Sequence, residues 1–355
     1  MKGVLPVLRW MIGPAILLGL VWLGEPGDLL ARLGGMAPGW ILVALGLSVA
    51  HVALSAWRWR FTAGQLGLRL PFSRALSEYY LATFLNQILP GGVAGDVSRA
   101  WRSGPGTPED LGRMATGRAV RAVLLERASG QIVMGAVAVL SFLYLLLPET
   151  LGGFGWASMR ADGWMEAEPH GVGVHPGIWT GGILIGLLGL LLFGIRRLAR
   201  FRRRLGLEAR RALFSRSALP LQLLSSTLVV ASYLAMYLAA ARAVNVDTPT
   251  AVLLPLVAPV LLSMLIPLSV AGWGIRESAA ALLWMGAGLP AAEGVAISVA
   301  YGLLVLASSL PGALVLLAPR RRGRSRLHDT KRPAPSAASR TTPSRSSPSR
   351  PVSEG

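Results

Sequence analysis

At 355 residues, 53% hydrophobic and only 15% charged, with a positive mean hydropathy, the chain excludes an ordinary soluble domain. It has no cysteine, which excludes disulfides, thiolate metal sites and cysteine nucleophiles; its lysines, Lys2 and Lys331, lie in no Gly-rich loop, which excludes a Walker-type phosphate loop. The net charge of +18 comes from arginines in short loops and in the tail, so it reports membrane topology before it reports a partner.

Apolar runs near the roughly 20 residues that span a hydrocarbon core predict full spans at about 7–23, 38–56, 122–147, 178–195, 218–241 and 293–318. The first is read as an uncleaved span, because no small-x-small site precedes the polar turn at Glu25-Pro26-Gly27. Span two ends in SAWRWRF, followed by Arg69 and Arg74, and this basic end is expected in the cytoplasm. Residues 148–177, with Glu149, Asp162, Glu166 and Glu168 against Arg160, read as an external loop. The arginines from Arg196 to Arg216, and Arg320 to Arg322 after the last span, read as internal. The chain therefore divides into a membrane domain, 1–318, and a disordered basic cytoplasmic tail, 319–355, rich in Arg, Ser and Pro.

Two segments break this pattern. YYLATFLNQILPGGVAGDVSRAWR, from Tyr79 to Arg102, starts as an apolar helix, breaks at Pro90-Gly91-Gly92 and resumes through Gly95. Its entering arm, about 75–89, would reach roughly 22 Å, short of a roughly 30 Å core. Basic residues flank it on both sides, so it is expected to dip into the membrane and return. A second break, SMLIPLSVAGWGIRES, repeats the pattern P-x-x-V-A-G-x-x-x-R at Pro267 to Arg276. Span orientations place this one on the opposite face. The expected fold is thus all-α and polytopic, with about six full spans plus two re-entrant broken-helix hairpins in an inverted repeat.

Arg99 and Arg276 end the two breaks, and each has two readings: a guanidinium fork for a phosphate at a wet cavity, or an interfacial anchor that snorkels to the headgroups. Asp96 and Glu277 sit beside them either as neutralising partners or as proton carriers. Asn86, one turn before Pro90, either satisfies backbone groups freed by the break or faces a substrate hydroxyl. Gly91, Gly92, Gly95, Gly272 and Gly274 permit the bends, and exposed amides at a restarted helix also attract anions. Glu126 and Arg127 are costly in lipid and should face the bundle, as part of a polar stripe with Arg118 and Arg121 or as a plain cytosolic helix end. Ser48, His51 and Ser55 share one span, but both serines are on the histidine's own helix and no strong nucleophile motif is present, which argues against an intramembrane protease. His170 and His175 with Glu166 and Glu168 match no closed metal site. No cofactor and no metal are expected.

In WRWRF at 57–61, NQILPGGVAGDVSR at 86–99, LLERASG at 124–130 and IPLSVAGWGIRES at 266–278, the chain resembles the lysylphosphatidylglycerol synthase transmembrane-region family, which includes the flippase-like part of the multiple peptide resistance factor. The resemblance covers most of 5–318 and implies a multi-pass protein of the bacterial inner membrane that moves lipids or lipid-linked polar groups between leaflets. Carried over onto matching positions, it marks Asn86, Pro90, Gly91, Gly92, Gly95, Asp96, Arg99, Glu126, Arg127, Gly272, Gly274, Arg276 and Glu277 as substrate-binding. Ala94 and Ala271 stand where the family often has glycine. No aminoacyltransferase domain follows residue 318 in this sequence, so lysyl transfer is not expected and the chain is read as no enzyme. The expected partners are membrane phospholipids or a lipid-linked substrate, with a homo-oligomer or an envelope enzyme as a protein partner and no nucleic acid. The alternative function is a membrane scaffold or accessory subunit for a lipid- or envelope-modifying enzyme, docking through the arginine-rich loop and tail.

Overall fold

The computed structural model describes residues 26–89, 94–102, 109–146, 215–216, 218–266 and 269–317, with positions 11, 13–16, 18, 19, 22 and 196. Most of the spans expected at 7–23 and 178–195, the loop 148–177 and the tail 319–355 lie outside the described residues, as do Pro90, Gly91, Gly92 and Pro267.

Every described element is a helix. In chain order these are α1 Pro26–Gly34, α2 Pro38–Gln65, α3 Phe72–Ile88, α4 Ala94–Arg102, α5 Glu109–Leu146, α6 Ala218–Ala243, α7 Thr250–Ser263, α8 Ile275–Gly286, α9 Ala291–Ser309 and α10 Pro311–Leu317. Four stretches among them are long and apolar enough to cross a membrane: Pro38–Gln65, Thr116–Leu145, Ala218–Ala243 and Ala291–Leu317. These take up four of the expected spans with altered ends. The largest change is in α2, which runs nine residues past the expected end at 56, so WRWRF lies inside the helix. The helix continues because Arg58 is neutralised within the bundle, as described below, so it no longer marks a helix end in water.

The bundle is centred on α2 and α6, which run antiparallel. The Ala37 amide donates to the Ala243 carbonyl at 2.8 Å at one end, and Gln222 Nε2 donates to Thr62 Oγ1 at 2.7 Å at the other. The main apolar core joins α6 to α7, α8 and α9 through Met236, Tyr237, Leu256, Trp284, Ile297 and Tyr301. A smaller core under Trp59, Leu66, Leu70 and Leu125 joins α2 to α5 and the start of α3.

α3 and α4 form an antiparallel pair around the first break. At 17 and 9 residues they reach about 26 and 14 Å, so neither spans a roughly 30 Å core alone. Gly95 lets them approach: a Cβ there would overlap the Ala82 backbone. Asn86 Oδ1 accepts the Gly95 N–H at 2.8 Å, and Arg102 Nε donates to Glu78 Oε1 at 3.0 Å, so the two arms are tied at both ends of α4.

α7 and α8, of 14 and 12 residues, pack on one another around the second break. Here the chain turns through left-handed backbone at Ala271, Gly272 and Gly274, with φ of 51°, 80° and 83°. Glycine is suited to this region, whereas alanine is strained there. Ala271→Gly is therefore expected to stabilise the protein by about 0.5–1 kcal/mol, the strain relieved being partly offset by the greater freedom of the unfolded chain. A higher melting temperature in detergent would show this; a lower one would contradict it.

Candidate functional site

A polar stripe runs along α2. Ser48, His51, Ser55, Arg58 and Thr62 recur at alternating steps of three and four, which places them on one helix face, and all are buried. Arg58, 3% exposed, meets α5 and α6 there: it donates to Glu126 Oε1 and, at 3.2 Å, to Ser226 Oγ. From α4, Arg99 donates to the other oxygen of the same carboxylate, Glu126 Oε2, at 2.7 Å. Arg99 also pairs with Asp96 at 3.0 Å, and Asp96 in turn pairs with Arg127 at 2.6 Å.

These five residues form a chain of alternating sign, Arg58, Glu126, Arg99, Asp96, Arg127, drawn from three helices. Three guanidinium groups against two carboxylates leave one positive charge. The Arg99 guanidinium lies over the Tyr79 and Trp59 rings, with its central carbon 4.5 and 4.9 Å from their centroids.

A second buried group forms where α8 begins. Arg276 donates to Glu277 Oε1 at 2.6 Å and to Ser298 Oγ of α9 at 2.8 Å, while Glu277 Oε2 accepts the Gly274 N–H at 2.6 Å and so caps the helix. Trp273 and Tyr301 cover the guanidinium, with centroids 5.1 and 5.2 Å away. Gly302 leaves room for it, since a Cβ there would overlap the Arg276 guanidinium. This group is neutral and closed.

Between the two breaks lies a cavity of about 440 Å³. Asn86 and Gln87 line it beside the first break, and Ser269, Ala271 and Gly272 line it at the second. Arg58, Glu126 and Arg127 contribute its charged lining, Tyr79, Tyr233 and Tyr301 its aromatic hydroxyls, and Met134, Met236 and Met264 part of its apolar lining. Both terminal cations of the five-residue chain thus reach the cavity. The Nε groups of Arg58 and Arg127 have no hydrogen-bond partner among the described residues, and neither does Ser269 Oγ.

Of the residues marked from the sequence, Asn86, Glu126, Arg127 and Gly272 line the cavity. Asp96, Arg99, Gly274, Arg276 and Glu277 hold the two ion groups and are not among the lining residues. Pro90, Gly91 and Gly92 lie outside the described residues. Gly95 serves close packing of α3 on α4, with no left-handed backbone. Arg99 and Arg276, at 1% and 2% exposure, are neither snorkelling anchors nor cations open to the cavity. Asn86 accepts from an amide across the break, and does so from a cavity-lining position.

Arg58 is a cavity-lining cation that the sequence reading counted only as a basic charge at the end of span two. The signal was present in the three-and-four spacing that puts it on the face of His51. Ser232 was missed as well. His51 Nδ1 lies 2.7 Å from Ser232 Oγ, but that hydroxyl donates to the Val229 carbonyl at 2.7 Å. A hydroxyl has one proton, so the imidazole Nδ1–H is the donor in the pair. In this arrangement the serine hydroxyl is committed to the Val229 carbonyl and not to the histidine.

The model of a protein family described as the lysylphosphatidylglycerol synthase TM region matches residues 10–312. The chain belongs to this family. No curated protein and no solved structure matches it. Membership in the lysylphosphatidylglycerol synthase TM region family fits a multi-pass membrane domain related to lipid handling, and the matched range takes in both breaks, both ion groups and the cavity.

Proposed function

We propose that the chain moves a phospholipid or lipid-linked polar head between the leaflets of the bacterial inner membrane. The observation that carries this reading is the five-residue chain with one uncompensated positive charge, whose two terminal arginines reach a cavity lined by residues beside both helix breaks. An anionic phosphodiester between Arg58 and Arg127 would supply the missing charge. A zwitterionic head would present the same phosphate. The head would sit among polar side chains while its acyl tails stay in lipid, which lowers the cost of carrying charge across the hydrocarbon.

In this reading α3 with α4 and α7 with α8 are re-entrant hairpins of opposite orientation, related as an inverted repeat, and both chain termini face the cytoplasm. The chain is a transporter and no enzyme: it positions a head and compensates its charge, and makes or breaks no bond. It acts on membrane phospholipid or a lipid-linked substrate, alone, as a homo-oligomer or beside an envelope enzyme.

Leaflet-resolved lipid analysis of cells with and without the protein tests the proposal. Loss of the protein should deplete one class of phosphodiester lipid from one leaflet at unchanged total content. Unchanged leaflet distributions would overturn it. A change in total lipid modification, with a bound enzyme lost on removing the arginines between 196 and 216, would favour the scaffold instead.

A further inference from the structure

We propose that His51 is a proton-binding site that couples proton movement to movement of the lipid head, so that the chain works as a proton–anion cotransporter. The inference rests on the cavity being the path of the head.

Histidine is the side chain whose ordinary titration falls nearest neutrality, and within membrane helices it is rare and tends to mark proton relays. Arg58, Glu126 and Arg127, which also line the cavity, are held in the ion chain. His51 lines the same cavity and makes no ion pair among the described residues. Its ring is fixed: Nδ1–H donates to Ser232, and the ring lies 4.1 Å from that of Tyr233, centroid to centroid. With Nδ1 as donor, Nε2 carries the lone pair that can take a proton.

The groups facing the imidazole are Arg58 on α2, Glu126 on α5 and Tyr233 on α6, with Tyr79 of α3 and Tyr301 of α9 lining the same cavity. Arg58 lies seven residues away on the same face, about 10 Å along the helix. A phosphodiester on Arg58 brings a negative charge to about that distance from the imidazole, and two unit charges at this spacing in a medium of effective dielectric constant about 20 alter proton affinity roughly tenfold. Linkage makes the effect mutual, so a proton on His51 favours the anion by the same factor. A head that crosses with this proton bound carries no net charge, so the pair is favoured over the anion alone.

The test uses the full chain in phosphatidylcholine vesicles carrying a trace of acyl-labelled phosphatidylglycerol, with protein-free vesicles as control. With membrane potential clamped, a pH gradient of about one unit should drive the wild-type leaflet ratio of the tracer toward about tenfold, while a potential of about 60 mV without a pH gradient should leave it near one. His51→Gln, which cannot take the proton, should show the reverse, following potential and ignoring pH. His51→Asn provides the same comparison if the Gln variant does not fold. A wild-type ratio indifferent to the pH gradient, or a variant that still follows it, overturns the coupling. Wild-type protein that moves no tracer under any gradient removes the transport reading together with the coupling that rests on it.

Discussion

Glu126→Gln is expected to lower stability by about 3–5 kcal/mol, enough to abolish accumulation of a marginally stable protein. The carboxylate is 1% exposed and bonds Arg58 through one oxygen and Arg99 through the other, so neutralising it leaves two buried guanidinium groups without their shared counter-charge. In an environment that solvates ions poorly, the cost comes from the charges left behind more than from the bonds lost. Removing one of those charges should therefore give part of the loss back: Arg58→Gln combined with Glu126→Gln should be less destabilising than the two single changes added together. Melting in detergent measures all three. Full stability of Glu126→Gln would show that the network is not what joins α2, α4 and α5.

Arg127→Gln should separate transport from folding. The Arg127 side chain is 38% exposed, and its partner Asp96 keeps Arg99, so the structural cost is expected to stay within about 1 kcal/mol. The same substitution removes the uncompensated charge of the cavity. A charge-assisted hydrogen bond is worth about 1.5–3 kcal/mol, so tracer exchange in vesicles should slow about 10- to 150-fold. Arg276→Gln gives the contrast: it strands Glu277, at 0% exposure, in a closed group whose ions do not line the cavity, and should cost stability first. If folded Arg127→Gln exchanged lipid at the wild-type rate, an anionic head on this arginine would be ruled out.

The sequence showed the two breaks plainly, because proline and glycine interrupt apolar runs in ways that no regular helix accommodates. The pairing of Asp96 with Arg99 and of Glu277 with Arg276 was legible too, since those partners are three residues apart or adjacent. Long-range partners were not. Glu126 meets Arg58 across 68 residues, and nothing local distinguishes an arginine neutralised inside the bundle from one that marks a cytoplasmic helix end. That ambiguity also put the end of α2 too early. The repeat suggested equivalent roles for Arg99 and Arg276, and both are indeed buried against carboxylates. The cations that reach the cavity are instead Arg58 and Arg127, which lie outside the repeated pattern. A sequence repeat constrains backbone shape; which side chain faces a cavity depends on the helices packed against it.

In the proposed mechanism the residues beside both breaks line one wet cavity, approached from opposite faces of the membrane. Because the chain has no cysteine, single cysteines placed at Gln87 and Ser269 can be tested with a membrane-impermeant thiol reagent, with Ala240 as a buried control. The expected result is labelling of position 87 from one face and of position 269 from the other, with position 240 unreactive. Two unreactive positions in folded protein, or labelling of both from the same face, would contradict it.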